Sequence, residues 1–211
     1  LAWSEDNKRV FFGIKEQVPA PDTKRKSTDE AADVDVWNTG DERIQSLQMV
    51  RAEQDRNFTF RQAFDVSAKR FVKLADETMR ELDVAPDGRW AVGWDTRAYI
   101  RNEKILPTAD IYRVNTSTGE RTLVAKGQLT GRYTFGITPH GRHFLFWKDN
   151  KIQAYDLEAG TTKAIGAGAV SFVDLEHDHV GEKPAYGVTG FTSDGKSVIL
   201  DHKYDLWLLS L

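Results

Sequence analysis

The chain of 211 residues contains no cysteine. That excludes disulfides, thiolate nucleophiles and cysteine-ligated metals, and leaves the redox compartment open. No stretch approaches the roughly 18 apolar residues that a membrane helix needs, and no signal-peptide pattern is visible. Charge of one sign is lacking as well. With 29 Lys and Arg against 32 Asp and Glu, the net charge is −3, so no global field draws the chain to nucleic acid or to an anionic membrane. The densest basic cluster, Lys24-Arg25-Lys26, is answered by Asp29, Glu30, Asp33 and Asp35 and reads as a solvated loop.

Catalytic signatures are missing too. None of the nine serines (4, 27, 46, 67, 117, 171, 193, 197, 210) sits in the Gly-x-Ser-x-Gly elbow of an α/β-hydrolase. Gly166-Ala167-Gly168 has no third glycine at the dinucleotide-binding spacing and ends a hairpin instead of opening a helix. There is no Gly-x-x-x-x-Gly-Lys phosphate loop. No catalytic residue, metal or cofactor is expected.

What the chain does have is a repeat. An apolar run, a turn on Asp/His-Gly or its degenerate form, and a second apolar run recur around Asp6-Asn7, Asp87-Gly88, His140-Gly141 and Asp194-Gly195. The last two intervals are 53 and 54 residues; the first, from Asp6 to Asp87, is 81 and implies an insertion. A second hairpin follows each turn: Phe58 to Leu74, Asp110 to Val124, Lys151 to Ile165, and a start at Tyr204 to Leu209. Glycine reaches positive φ without a Cβ clash, and Asp bonds its own backbone, so these corners suit hairpins. The flanking residues are branched or aromatic and alternate with polar ones, as half-buried strands require.

Two hairpins per repeat make a four-stranded antiparallel sheet, the blade of a β-propeller. An antiparallel sandwich also carries regular turns, but it would not place a paired hairpin at one offset after each of three turns. The expected fold is therefore all-β: a partial propeller of about four blades, the last lacking its outermost strand. Blade 1 is placed at about 1–76 with an insertion at 16–57, blade 2 at 79–127, blade 3 at 132–168, and partial blade 4 at 186–211. The Trp-Asp landmark of WD repeats does not recur from repeat to repeat, and the period exceeds theirs of about 40–45 residues.

Within the insertion, Pro19 to Asp33 reads as polar loop and Val34-Asp35-Val36-Trp37 is compatible with a short strand. Asp41 to Arg51 fits one or two helical turns, with Ile44, Leu47 and Val50 at spacing three. The insertion is read as a decoration on the propeller rim, or as a loop that meets a partner. Asp174 to Glu182 crowds His177 and His179 among carboxylates. Its spacing matches neither an EF-hand, which would need Gly at His179, nor His-Glu-x-x-His, so a solvated loop is favoured over a metal site. His140, His143 and His202 fall at turns or strand starts and are read as structural. Asn57-Phe58-Thr59 and Asn115-Thr116-Ser117 match the glycosylation sequon at about the frequency of chance.

The Ala85-Pro86-Asp87-Gly88-Arg89 turn and the Asp110-Ile111-Tyr112-Arg113-Val114 hairpin with Thr118-Gly119-Glu120 resemble the TolB-like propeller repeat. Val34 to Trp37 with Asp41 to Gln45, Arg70 to Asp76, Pro184 to Val188 and Tyr204 to Trp207 extend the likeness. With these, the chain resembles, end to end, the N-terminal propeller of bacterial prolyl oligopeptidase family serine peptidases. Asn38 stands where relatives are expected to carry His. The resemblance implies a propeller that limits access of peptide substrates to a C-terminal α/β-hydrolase domain in a periplasmic or secreted peptidase. That domain would supply the triad, so no catalytic residue carries over. The other reading is a TolB-like interaction scaffold with no enzyme attached. The chain opens inside a strand pattern and closes within a hairpin, so it is expected to be a piece of a longer protein. Its terminal blades are expected to expose apolar faces and strand edges that promote self-association.

Overall fold

A computed structural model describes residues 1–17, 34–101, 106–166, 168 and 170–211. The Pro19 to Asp33 loop and the basic cluster lie outside these residues. The chain forms four antiparallel meanders, each with its strands in chain order. Sheet one is β1 (Ala2–Trp3), β2 (Arg9–Ile14), β3 (Phe60–Asp65) and β4 (Arg70–Lys73); a helix, α1 (Gln45–Asn57), lies between β2 and β3. Sheet two is β5 (Glu81–Val84), β6 (Trp90–Asp95), β7 (Thr108–Asn115) and β8 (Arg121–Leu129). Sheet three is β9 (Thr134–Ile137), β10 (His143–Lys148), β11 (Lys151–Asp156) and β12 (Thr161–Ile165). Sheet four has three strands, β13 (Gly187–Phe191), β14 (Ser197–Asp201) and β15 (Leu206–Ser210).

The core is divided into three layers, one between each pair of successive sheets. Phe11, Ala63, Val72 and Leu74 of sheet one and its exit meet Met79, Leu82, Ala91 and Val114 of sheet two and its approach. Val92, Ile111 and Ala125 then meet Phe144, Phe146, Tyr155 and Leu157. Leu145, Trp147, Ile152 and Ala154 meet Val198 and Leu200. Side chains alternate along a strand, so Ala91 and Val92 enter different layers, as do Phe144 and Leu145. Both faces of β10 are covered, and Phe144, Leu145, Phe146 and Trp147 are all buried. At about 1.5–3 kcal/mol for each large apolar side chain buried, this strand alone stabilises the stack substantially. Sheets stacked face to face with these separate cores are the blades of a partial β-propeller, the fourth one strand short.

The first turn of every blade is built alike. The N–H of Asn7, Gly88, Gly141 or Gly195 donates to the carbonyl three residues back, at 2.8–3.0 Å. All four residues have positive φ, 54° at Asn7 and 68–73° at the glycines. The turns also stack on one another. A Cβ on Gly88 would fall far inside contact distance of Ser4 Cβ and 3.3 Å from Phe11 Cε2; one on Gly195 would overlap the His140 ring. One on Gly141 would lie 3.2 Å from Asp87 Cγ. Glycine is thus needed both for its conformation and for the approach of the preceding blade.

Polar links cross the same junctions. Arg9 donates to Ser117 Oγ at 2.5 Å, and Trp90 Nε1 donates to Glu158 at 3.0 Å, each from the start of a blade's second strand to the outer hairpin of the next blade. Arg121 reaches back from β8 to the Leu74 carbonyl (2.8 Å), the Thr78 hydroxyl (2.8 Å) and Asp76 (3.2 Å). Trp147 Nε1 donates to the Lys183 carbonyl at 2.9 Å.

Among the described residues, the outward faces of the end sheets have no partner sheet. Trp3, Val10, Phe64 and Phe71 form one register row across sheet one, and Phe71 is 50 % exposed. On sheet four, Ile199 pairs with Leu208, and Leu206 and Leu208 are 65 % and 62 % exposed.

Two expectations for the insertion are corrected. Residues 34–37 form no strand: Val34, Val36 and Trp37 are exposed, and they pair with none of the described strands. The helix is longer and later than Asp41 to Arg51, running from Gln45 to Asn57 with Ile44 as its N-cap. None of its residues is buried, so the spacing of Ile44, Leu47 and Val50 does not mark a packed face. Arg43 holds the helix through Asp55 at 2.8 Å. No helix among the described residues is long and apolar enough to cross a membrane.

Candidate functional site

The first strands of successive sheets converge. Ala2 to Ser4 of blade 1, Leu82 to Pro86 of blade 2 and Ile137 of blade 3 line one cavity of about 490 Å³. A second cavity, about 510 Å³, continues past Phe58, Thr59, Arg80, Glu81, Trp94, Thr96, Thr130 and Thr134. Arg61, Leu82 and Asp83 line both. These residues meet because β1 covers only two residues of β2. Beyond it, Arg61, paired with Gly13, opens toward β5.

Along β5 the Glu-Leu-Asp-Val alternation turns Leu82 and Val84 to the core between the first two sheets. Glu81 and Asp83 stay exposed. β5 is an edge strand, bonded to β6 on one side alone. Asp83 keeps contact with solvent but lies low in the concavity, where surrounding protein displaces bulk water. That loss of hydration pushes its carboxyl above the usual carboxylate value, and Arg61 opposes the push. Among the described residues, neither the Arg61 guanidinium nor the Asp83 carboxylate has a hydrogen-bond or ion-pair partner. Nearby, the Arg80 guanidinium lies over the Phe58 ring at 4.3 Å.

The arrangement offers opposed fixed charges, threonine hydroxyls and aromatic walls. Among the described residues, no serine hydroxyl is bonded to a histidine.

The histidines lie elsewhere. His140 sits in the stacked turn beneath Gly195. His143 opens β10 with its Nε2 3.8 Å from Asp156. Burial lowers its pKa, Asp156 raises it, and Arg142 and Lys163 add to the lowering. His202 packs edge-on against Phe172 and Tyr186. His177 and His179 have ring centroids 5.0 Å apart, but Arg132 engages His177 Nδ1 at 2.9 Å. Among the described residues there is no group of three or more His, Cys, Asp or Glu placed to hold a metal. Of the two sequons, Asn115 caps its own hairpin by accepting the Ser117 and Thr118 N–H groups. Arg61 and Asp83 carry no motif; only the strand alternation of β5 hints that Asp83 points away from the core.

No protein-family model matches the chain, and no curated protein does. Solved structures similar to it include a putative TolB from Agrobacterium tumefaciens (16 % identity, TM-score 0.38, 70 % of this chain and 50 % of that one). TolB from Acinetobacter baumannii is similar at 19 % identity and TM-score 0.35, over 71 % of this chain and 34 % of that one. An oligogalacturonate lyase from Vibrio parahaemolyticus is similar at 12 % and 0.36, over 71 % and 41 %. The chain spans a third to a half of the length of these proteins. At such scores the likeness carries no argument about activity or ligand, and the propeller assignment rests on the sheet order and the inter-sheet cores.

Proposed function

We propose that this chain is a non-catalytic propeller segment whose first-strand concavity receives a peptide segment of a partner or substrate. The observation that carries this reading is the pair of unpartnered opposite charges, Arg61 and Asp83, on the wall common to the two cavities. Such a wall selects by shape, charge and hydrogen bonding without a reacting group. The test is photo-crosslinking with a library of peptides bearing a central benzophenone, followed by mass mapping. Adducts concentrated on β1, β5 and the Phe58 to Arg61 segment support the reading; adducts scattered over the outer hairpins reject it.

A second, finer reading is favoured by the segments around Trp37, Arg70 to Asp76 and Tyr204 to Trp207 that resemble peptidase propellers. In it the concavity gates peptides on their way to a C-terminal α/β-hydrolase domain of the parent chain. The exposed Val36, Trp37, Ile44 and Val50 would then belong to the wall on which that domain docks. A periplasmic or secreted location goes with this reading. A Gly-x-Ser-x-Gly segment encoded a few hundred residues downstream, with cleavage of short peptides but not of folded proteins by the full chain, is its expected signature. A parent gene without such a segment leaves the interaction scaffold.

A further inference from the structure

We propose that Arg61 and Asp83 act together as a clamp on the backbone amide groups of one internal residue of an extended peptide. This rests on the reading of the concavity as a peptide site and names the chemistry of its contact.

Three features lead to it. First, the donor and acceptor sets of the two side chains are complementary and unused. A guanidinium offers five N–H donors and no acceptor, and a carboxylate accepts only. Both are exposed, and no hydrogen bond or ion pair joins them, so each is open to a ligand at the wall they share. Within an extended chain, the N–H and C=O of a single residue point to the same side. One residue can therefore give its carbonyl to Arg61 and its N–H to Asp83.

Second, the cavities extend to both sides of the pair, about 490 Å³ one way and 510 Å³ the other. A ligand held there continues in both directions, which fits an internal residue better than a chain terminus or a free amino acid. Third, β5 presents a strand edge with no neighbour on its far side. An extended peptide is the ligand whose main-chain groups match such an edge. A sugar chain could offer hydroxyls to the same charges, but it has no ladder to match the edge. Recognition through backbone groups makes the site tolerant of peptide sequence, with Trp94 and Phe58 giving apolar contact to whichever side chains flank the clamp.

The test is a titration of the ¹⁵N-labelled chain with three probes: acetyl-Ala-Ser-Ala-Ser-Ala-amide, the same peptide N-methylated at its central residue, and maltohexaose. The readout is the backbone amides of Leu82 to Val84 and the Trp94 indole N–H. The unmodified peptide is expected to shift these signals. Loss of one charged hydrogen bond, by N-methylation, Arg61→Met or Asp83→Ala, is expected to weaken binding about tenfold. Both side chains are exposed and, among the described residues, neither is hydrogen-bonded, so both variants should keep the parent amide spectrum. Arg61→Lys is expected to recover part of the affinity. Peptide shifts at β5 that are unaffected by N-methylation and by both substitutions overturn the clamp and leave the peptide reading standing. No response to either peptide, or an equal response to maltohexaose, overturns both.

Discussion

The stacked turns make the sharpest quantitative prediction. Replacing Gly88 by alanine places a Cβ on a residue with φ of 73°, which costs about 1–2 kcal/mol for an L-residue in the left-handed region. The same Cβ collides with Ser4 of the preceding blade and lies 3.3 Å from the buried Phe11, adding about 1–3 kcal/mol of overpacking. Gly136 is the internal control: its φ is 82°, but nothing lies within 4 Å of a Cβ built there. Gly136→Ala therefore carries the conformational cost alone. At roughly 2–4 °C per kcal/mol for a chain of this size, Gly88→Ala should melt about 2–12 °C below Gly136→Ala. Thermal melts followed by circular dichroism, with urea midpoints as a second measure, read the difference. Ser4→Gly should restore stability in the Gly88→Ala background while costing stability in the parent, a coupling that a double-mutant cycle isolates. Equal melting points for the two alanine variants, or no coupling with Ser4, would refute the stacking of successive blades through these turns.

Other outcomes follow from the junctions and end faces. Burial pushes the Asp76 pKa up, but the Thr78 hydroxyl and N–H together with Arg121 outweigh it and hold the carboxyl well below its usual range. A depressed carboxylate stabilises the fold above about pH 4 and ceases to as the pH falls further. Arg121→Met should therefore lower urea midpoints most above pH 4, with the gap to the parent narrowing toward pH 2. His143 has a lowered pKa, chiefly through burial, so the unfolded chain takes up its proton first as the pH falls below about 6.5. The parent should lose stability across that interval, and His143→Gln should lose less, by urea titration at closely spaced pH values. The uncovered rows on sheets one and four should drive self-association of this 211-residue chain. Sedimentation velocity should show it rising with concentration and suppressed in Phe71→Lys/Leu208→Lys; a monomer at every concentration would count against these faces as sticky.

The blades were legible in the residues because their signals are local. A positive-φ corner at Gly88, Gly141 or Gly195 and the alternation of Phe144 to Trp147 are properties of a few adjacent positions, and a strand covered on both faces must be apolar on both. The insertion was less legible. Val34 to Trp37 alternates like a strand but pairs with none of the described strands, and the spacing of Ile44, Leu47 and Val50 suggests a packed face that the exposed helix α1 does not have. Pattern reports what a segment is able to form; a neighbour decides whether it does. The candidate site lies at the far end of that scale. Arg61 and Asp83 belong to different sheets and carry no motif, and they share a cavity wall because β1 is too short to cover β2 and the first strands of successive blades converge. Turn geometry and strand alternation act over a few residues and so are written in the chain itself, whereas the meeting of two charges from separate blades is created by the stacking and exists in the folded molecule alone.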